Sequence, residues 1–515
     1  MTDPASASAA PVMLWFRQDL RLADHPALEA ALATGRPVLP VYVLDDTTPG
    51  AWRPGGAARW WLHHSLTALA AALAERGAAL VLRHGKAAEA IPALAREAGA
   101  VAVHATRAHE PFWREADRAV EAALAAQGAR LFRHPGTTLF DPGSIRTKAG
   151  GVYGLYTPFA RACAALPEPS PPAPAPARIP CPKPPRSDSL ADWALLPRQP
   201  DWAGGLAATW RPGEAEAAAR LRAFIAGPAA HYPTGRDRPG EAGTAMLSPA
   251  LHWGEISPRA VWHAAAGLPP EARQRFRAEL LWRDFAAYML FHAPHMPEAP
   301  LRPAFARLPW RRDAAALRAW QRGWTGVPIV DAGMRQLWQT GWMHNRARMI
   351  AGSFLVKHLL LDWREGQAWF WDTLVDADLA SNACNWQWVA GTGIDGQPFF
   401  RVFNLVTQGE KFDPDGAYVR RYVPELARLP DRELHAPWQA PPAVLRAAGV
   451  ELGRTYPAPL VDLAEGRRRA LAVYQATVRT EPEAAADAEA SARPRGAGEG
   501  QAGRAAAGRG RSRNA

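Results

Sequence analysis

Cysteine is scarce in this 515-residue chain: there are three, Cys163, Cys181 and Cys384, widely spaced and odd in number. So few thiols argue against a disulfide framework, a zinc site or an iron–sulfur cluster, and they point to a reducing compartment. Long apolar runs are missing too, none approaching the roughly 20 residues of a membrane span. The opening MTDPASASAAPVMLWF lacks the basic segment and apolar core of a secretory signal. A cytoplasmic protein that does not enter membranes is the expectation. No GxGxxG follows the first apolar run, so the usual dinucleotide fingerprint is absent as well.

What is present is length for two or three domains, a net charge of +11 and 22 tryptophans. Residues 479–515 hold seven Arg against five acidic residues, a net of +2, so the remaining chain carries +9. The body itself is basic, and a polyanionic partner suits it. All but five tryptophans (Trp15, Trp52, Trp60, Trp61 and Trp113) lie after residue 190.

The first 140 residues alternate short apolar runs, VMLWF, PVLPVYVL, AALVLRH and AVAVHAT, with alanine-rich amphipathic segments. That alternation predicts a doubly wound α/β domain with a parallel sheet. ARWWLHHSLTALAAALAERG reads as a helix stopping at Gly77. Residues 141–204 are proline-dense and read as an extended, loosely structured interdomain linker. Residues 205–478 carry helical periodicity and define a larger all-α domain. Residues 479–515 show no apolar pattern and are expected to be disordered.

Four stretches carry candidate chemistry. In GTAMLSPALHWGEISPRAVW, Ser248-Pro249 and Ser257-Pro258 each resemble an N-cap serine followed by proline at the first helical position. Helix N-termini bind phosphate, and Thr244 and Ser248 add hydroxyls. TGWMHNRARMIAGSFLVKHLL, residues 340–360, reads as one strong helix with Asn345, Arg348 and Met349 on a shared face. In AELLWRDFAAYML, Glu279 and Trp282 share a face, and the apolar surroundings suggest a buried acid able to donate a hydrogen bond. Finally, DADLASNACNWQWVAG gathers carboxylates, asparagines, Cys384, Trp386 and Trp388 in one run.

The chain resembles the photolyase/cryptochrome family, and within it the class I cyclobutane pyrimidine dimer photolyases. The resemblance runs from VMLWFRQDLRLADHPAL to LAVYQAT, and its most specific segments are TGWMHNRARMI, DADLASNACNWQWVAGTG and FFRVFNLVTQGEKFD. It implies an antenna-chromophore domain at 1–140 and an FAD-binding catalytic domain at 205–478. It also implies light-dependent repair of UV-damaged DNA by a monomer. On it, Tyr232, Thr244, Ala245, Met246, Leu247 and Ser248 would cradle the FAD phosphates. Arg348, Asp376 and Asp378 would hold the ribose and isoalloxazine, with Asn382 at flavin N5. Glu279, Trp282, Asn345, Arg346, Met349 and Trp388 would line the substrate pocket. Trp386, Trp363 and Trp310 would form an electron-hopping chain.

Three segments depart from the family pattern. TAMLS stands where TSRLS is usual, placing Ala245 and Met246 in the phosphate loop. NACNW puts Cys384 and Asn385 where small glycines are common, close to the flavin, and Asn404-Leu405 replaces Asn-Pro. The main alternative is a cryptochrome-type blue-light photoreceptor without repair activity. Plant cryptochromes usually carry Asp where this chain has Asn382, and (6–4) photolyases usually carry histidines at 345 and 349. A non-catalytic single-strand-binding protein would have no need of Glu279, Trp282 and Asn382. Glu110 matches a folate-contacting antenna position, but no lysine occurs between Arg283 and Lys357. That leaves the second chromophore open between methenyltetrahydrofolate, a deazaflavin, a flavin or none.

Overall fold

A computed structural model describes residues 10–396 and 398–478. The terminal segment expected to be disordered lies outside these residues. Five strands form one parallel sheet: β1 (Val12–Phe16), β2 (Val38–Leu44), β3 (Val81–His84), β4 (Ala102–Thr106) and β5 (Arg130–His134). Their order is β3-β2-β1-β4-β5, so the chain reverses direction across the sheet between β1 and β4. Val12 lies opposite both Val38 of β2 and Ala102 of β4.

Strand residues alternate between two apolar layers. Val12, Leu14 and Phe16 pack with the helices Pro26–Ala33 and α1 (Gly56–Ala74). Met13 and Trp15 face the opposite way, toward helices Ala87–Ala98 and Pro111–Ala125. Burial on both faces is why these strands read as continuous apolar runs. α1 ends close to where the sequence indicates, with Gly77 left-handed at φ 82°.

The proline-dense segment is not loose. It contains a helix at Tyr156–Ala164, and it runs against the α/β domain through backbone hydrogen bonds. The Pro180 carbonyl accepts from Val38 N (2.7 Å), the Ala173 carbonyl from Asp24 N (2.8 Å), and Ile179 N donates to Arg76 O (2.9 Å). Proline removes the N–H donor but leaves the carbonyl, so an extended proline-rich chain can still be tied down from one side.

The helical domain is organised around α2 (Pro270–His292), α3 (Asn345–Ser353), α4 (Trp363–Thr373) and α5 (Leu379–Ala390). The stretch 340–360 is not one helix. Gly341, left-handed at φ 66°, caps the preceding helix Pro328–Thr340, and α3 starts afresh behind the His344 cap, whose Nδ1 accepts from Arg346 N. It runs on directly into a π-helical stretch, Phe354–His358.

The two domains meet through buried polar contacts. Arg21, 2% exposed, donates to the Gly254 carbonyl at 2.9 Å. Gly254 is left-handed, and a Cβ there would lie 2.2 Å from the Gln18 carbonyl, so only glycine permits this approach. Trp61 Nε1 on α1 donates to the buried Glu255 carboxyl at 3.1 Å. Burial lifts the Glu255 carboxyl to about 7, against its ordinary 4.5. The folded state therefore holds this proton more tightly than the unfolded chain. The associated stability is complete below the unfolded value and is lost as pH rises through about 7. Glu255→Gln keeps an acceptor oxygen and removes the titration. The variant's Tm is expected to fall less than the parent's between about pH 5 and about pH 8. Equal falls in thermal melts would contradict this account.

Candidate active site

Two cavities meet at the start of α5. The larger, about 330 Å³, lies within the helical domain. One wall is Tyr232 with the loop Thr244, Ala245, Met246, Leu247 and Ser248. Met246 is left-handed at φ 48°, a conformation that costs an ordinary side chain about 1 kcal/mol. Ser248 is the first residue of a short helix, and its hydroxyl is not a cap. Instead its Oγ accepts from Trp342 Nε1 at 3.1 Å. The N-cap geometry expected there is found at Ser257, whose Oγ accepts from Ala260 N at 3.0 Å.

The facing wall comes from α3 and α5. Arg348 NH2 donates to both oxygens of Asp376, at 2.8 and 3.1 Å, while its Nε donates to the Met343 carbonyl at 2.8 Å. Asp376 is nearly fully buried, so this pairing is what makes its charge tolerable. Asn345 and Met349 lie on the same wall. Asp378 caps α5, accepting from Ser381 N at 2.7 Å, with His252 Nδ1 3.6 Å away. Burial alone would raise the Asp378 carboxyl, but the adjacent His252, with Arg283 and the Ser381 N–H, holds it well below the usual carboxylate range. Further along α5, Asn382, Asn385, Trp386 and Trp388 also face the cavity. Asn382 Nδ2 donates to the Gln367 carbonyl at 3.1 Å, which fixes the amide against α4.

Trp386 rests on two glycines. A Cβ at Gly366 would stand 2.1 Å from its ring, and one at Gly352 would stand 3.5 Å away. Its ring neighbours are Phe370 (5.0 Å) and Trp320 (6.2 Å). Trp363 is buried in the same apolar cluster and the partly buried Trp310 packs against it. Nothing in the sequence marks Trp320 apart from the other tryptophans, and its place beside Trp386 emerges only from the fold.

Several sequence expectations need correction. Glu279 lines the cavity but is no isolated buried acid: its side chain is 36% exposed and forms an ion pair with Arg236. Arg236 follows Tyr232 by four residues and Arg283 follows Glu279 by four. That helical spacing is the sequence signal for these two cavity-lining cations, neither of which was expected there. Trp282 stands outside the cavity wall, its ring stacked on Tyr156. Arg346 is also outside it, donating to Asp237 at 2.5 Å and lying over the Phe412 ring. Cys384 turns away from the cavity into a cluster with Leu281 and Trp282, and burial pushes its thiol up to about 12.

The second cavity, about 120 Å³, opens where β1 and β4 end, between the domains. It is lined by Trp15, Thr106, Trp52 and Trp371, with the partly buried Glu110. Burial, then the charge of Asp378, pushes the Glu110 carboxyl above its ordinary range. His252, Arg283, Ala377 and Asp378 line both cavities and so form the partition between them. A cleft at the carboxyl ends of parallel strands, at the point where strand order reverses, is the usual ligand position of such sheets.

Comparison with known proteins decides what this arrangement belongs to. Residues 12–177 match the DNA photolyase family model, and residues 276–476 match the FAD binding domain of DNA photolyase. A deoxyribodipyrimidine photo-lyase of Agrobacterium fabrum is 50% identical over 480 residues, which span 92% of this chain and 100% of that protein. The chain belongs to the photolyase/cryptochrome family. A bacterial class III photolyase from Agrobacterium tumefaciens superposes with a TM-score of 0.90 at 49% identity, covering 93% of this chain and 100% of that one. Cryptochrome-1 of Arabidopsis thaliana is 37% identical over 474 residues, 89% of this chain and 69% of that protein. The family's parallel-sheet domain and larger helical domain are both present, and the chain is a photolyase-type flavoenzyme whose cofactor is FAD. No described helix is long and apolar enough to cross a membrane.

Gly366→Ala drives a methyl into the Trp386 indole. A loss of about 1–3 kcal/mol of stability is expected, with reduced flavin content in the purified protein. An unchanged Tm and full flavin loading would show that α4 can move away from the ring.

Proposed function

We propose that the chain splits cyclobutane pyrimidine dimers in UV-damaged DNA under light, acting as a cytoplasmic monomer. The observation that carries this reading is a single cavity. It joins the Asp376–Arg348 pair, Asp378 and Asn382 to Glu279, Asn345, Met349 and Trp388. The 49% identity to a class III photolyase supports placing the chain in that class of the family.

The donor set fits FAD. The hydroxyls of Thr244 and Ser248 and the Arg236 guanidinium, beside Tyr232, Ala245, Met246 and Leu247, would offer donors to a pyrophosphate. Arg348, Asp376 and Asp378 offer charged partners to the ribose and isoalloxazine, and Asn382 an amide to the flavin edge. Reduced FAD, when bound, supplies the light-driven electron that opens the dimer. The chain's own residues do the rest. Glu279, held by Arg236 at the cavity mouth, accepts a hydrogen bond from a thymine N–H and so orients the base. Trp388 and Met349 give an extruded pyrimidine pair apolar walls that exclude water, as flipped bases are commonly held. Arg346 and the basic surface grip phosphates without reading sequence. Trp386, Trp363 and Trp310 conduct the electron that recharges the cofactor from solvent.

The division into an antenna domain (1–140), a linker (141–204) and a catalytic domain (205–478) belongs to the same reading. The interdomain cleft with Glu110 is its antenna site, for methenyltetrahydrofolate or a deazaflavin. Lying across a thin charged partition from the catalytic cavity, it is well placed for energy transfer.

The test is repair of a dimer-containing oligonucleotide by reduced protein under blue or near-UV light and in darkness. Repair is expected only in the light. Equal repair in the dark, or none in the light with fully reduced flavin, would overturn the reading. Trp310→Phe, which keeps most of the ring volume, is expected to slow photoreduction of oxidised protein while leaving repair by pre-reduced protein nearly intact. Unchanged photoreduction would route the electron elsewhere.

A further inference from the structure

Trp282 lies just off the cavity, and the geometry of α2 shows how. At about 100° per residue, the cavity-lining residues Phe276, Glu279, Leu280 and Arg283 share one face of the helix. Trp282 falls beside Glu279 at the edge of that face, and Ala278 falls beyond it. Tyr156 covers Trp282 from this far side. The two rings are parallel within 6°, their centroids 3.6 Å apart.

Tyr156 is itself fixed at both ends. Its hydroxyl donates to the Ala278 carbonyl at 3.1 Å, one turn before Trp282 on the same helix. Its backbone N–H donates to the Asp395 carboxylate at 2.9 Å, across the domain. Phe285 closes the edge of both rings, 6.0 Å from Tyr156 at 77° and 5.9 Å from Trp282 at 79°. The indole of Trp282 is therefore held on its back face and along one edge. Among the described residues no further ring packs on the indole, which is only partly buried and follows the cavity-lining Glu279 by three residues on the helix.

We propose that Tyr156 is a positioning residue. It holds the Trp282 indole as the middle layer of a three-layer stack whose third layer is a pyrimidine of the extruded dimer. The inference rests on reading the cavity as the dimer site. Its physical content is preorganisation: an aromatic surface fixed in one plane before binding loses little side-chain freedom when a base arrives. A tyrosine that only packed the Tyr156–Ala164 helix onto α2 would need neither a parallel ring at stacking distance nor an anchored hydroxyl.

The experiment compares Tyr156→Phe, Tyr156→Leu and Trp282→Ala in flavin-loaded protein. It uses equilibrium binding to damaged and undamaged duplexes, with repair measured at limiting and saturating damaged DNA. Tyr156→Leu keeps apolar bulk and removes the stack. It is expected to weaken damaged-duplex binding about three- to tenfold, the worth of one aromatic pair, and to raise KM while leaving kcat near the parent value. Undamaged-duplex binding should not change. Tyr156→Phe keeps the stack and should stay within about twofold of the parent. If Trp282→Ala weakens damaged-duplex binding and Tyr156→Leu does not, Tyr156 is only linker packing and the inference falls. It falls equally if Tyr156→Leu weakens both duplexes to the same extent, or if the Phe variant behaves like Leu. If Trp282→Ala itself leaves damaged-duplex binding intact, the reading of the cavity fails and takes this inference with it.

Discussion

Two carboxylates placed two residues apart, Asp376 and Asp378, stand where the chain enters α5, and much of the surrounding architecture serves to partner them. Asp376 is neutralised by Arg348 from α3. Asp378 spends one oxygen on the N-terminus of α5 and sets the other beside His252. A carboxylate at a helix N-terminus is favoured by the helix dipole and by the free N–H groups there. Through these contacts α3, α5 and the segment around His252 are fixed relative to one another. Because Asp378, His252 and Arg283 also border the interdomain cleft, the same residues separate the two cavities.

The second constraint is the join between the α/β and helical domains. Arg21, Gly254, Trp61 and Glu255 meet there, and the proline-dense segment straps the sheet from outside by lending its carbonyls to Val38 and Asp24. Such polar, well-satisfied contacts give little net stability but strongly specify geometry. That suits a protein whose function, as proposed, depends on keeping an antenna site and a flavin site at fixed separation.

How much of this is legible in the sequence depends on whether the cause is local. β1 to β4 are legible because each is an apolar run largely buried in the sheet. β5 is not, because on this edge strand only Leu131 is buried. The break at Gly341 is hidden because apolar residues continue on both sides of it. In the site, Arg348 and Asp376 can be paired in advance from the family resemblance. The state of Glu279 cannot be read locally, because its partner Arg236 lies 43 residues away and the sequence around Glu279 shows mostly apolar neighbours. Cys384 was expected near the flavin by adjacency alone. On α5, Asn382, Asn385, Trp386 and Val389 recur at three- and four-residue spacing along the cavity, with Ser381 and Trp388 at the edge of that face. Cys384 falls just beyond Trp388 on the helix, so its turn into the neighbouring cluster is settled by the packing.

The central claim is that one cavity accepts an extruded pyrimidine dimer against Trp388 while phosphate contacts elsewhere hold the DNA. The most direct measurement is a binding titration of flavin-loaded parent and Trp388→Ala protein against damaged and undamaged duplexes, run over a series of salt concentrations. The account expects the variant to lose about 1–3 kcal/mol on the damaged duplex alone, the usual worth of a base–aromatic stack, with an unchanged salt dependence on both. Equal losses on the two duplexes would mean that Trp388 only packs the helical domain, and would contradict the account.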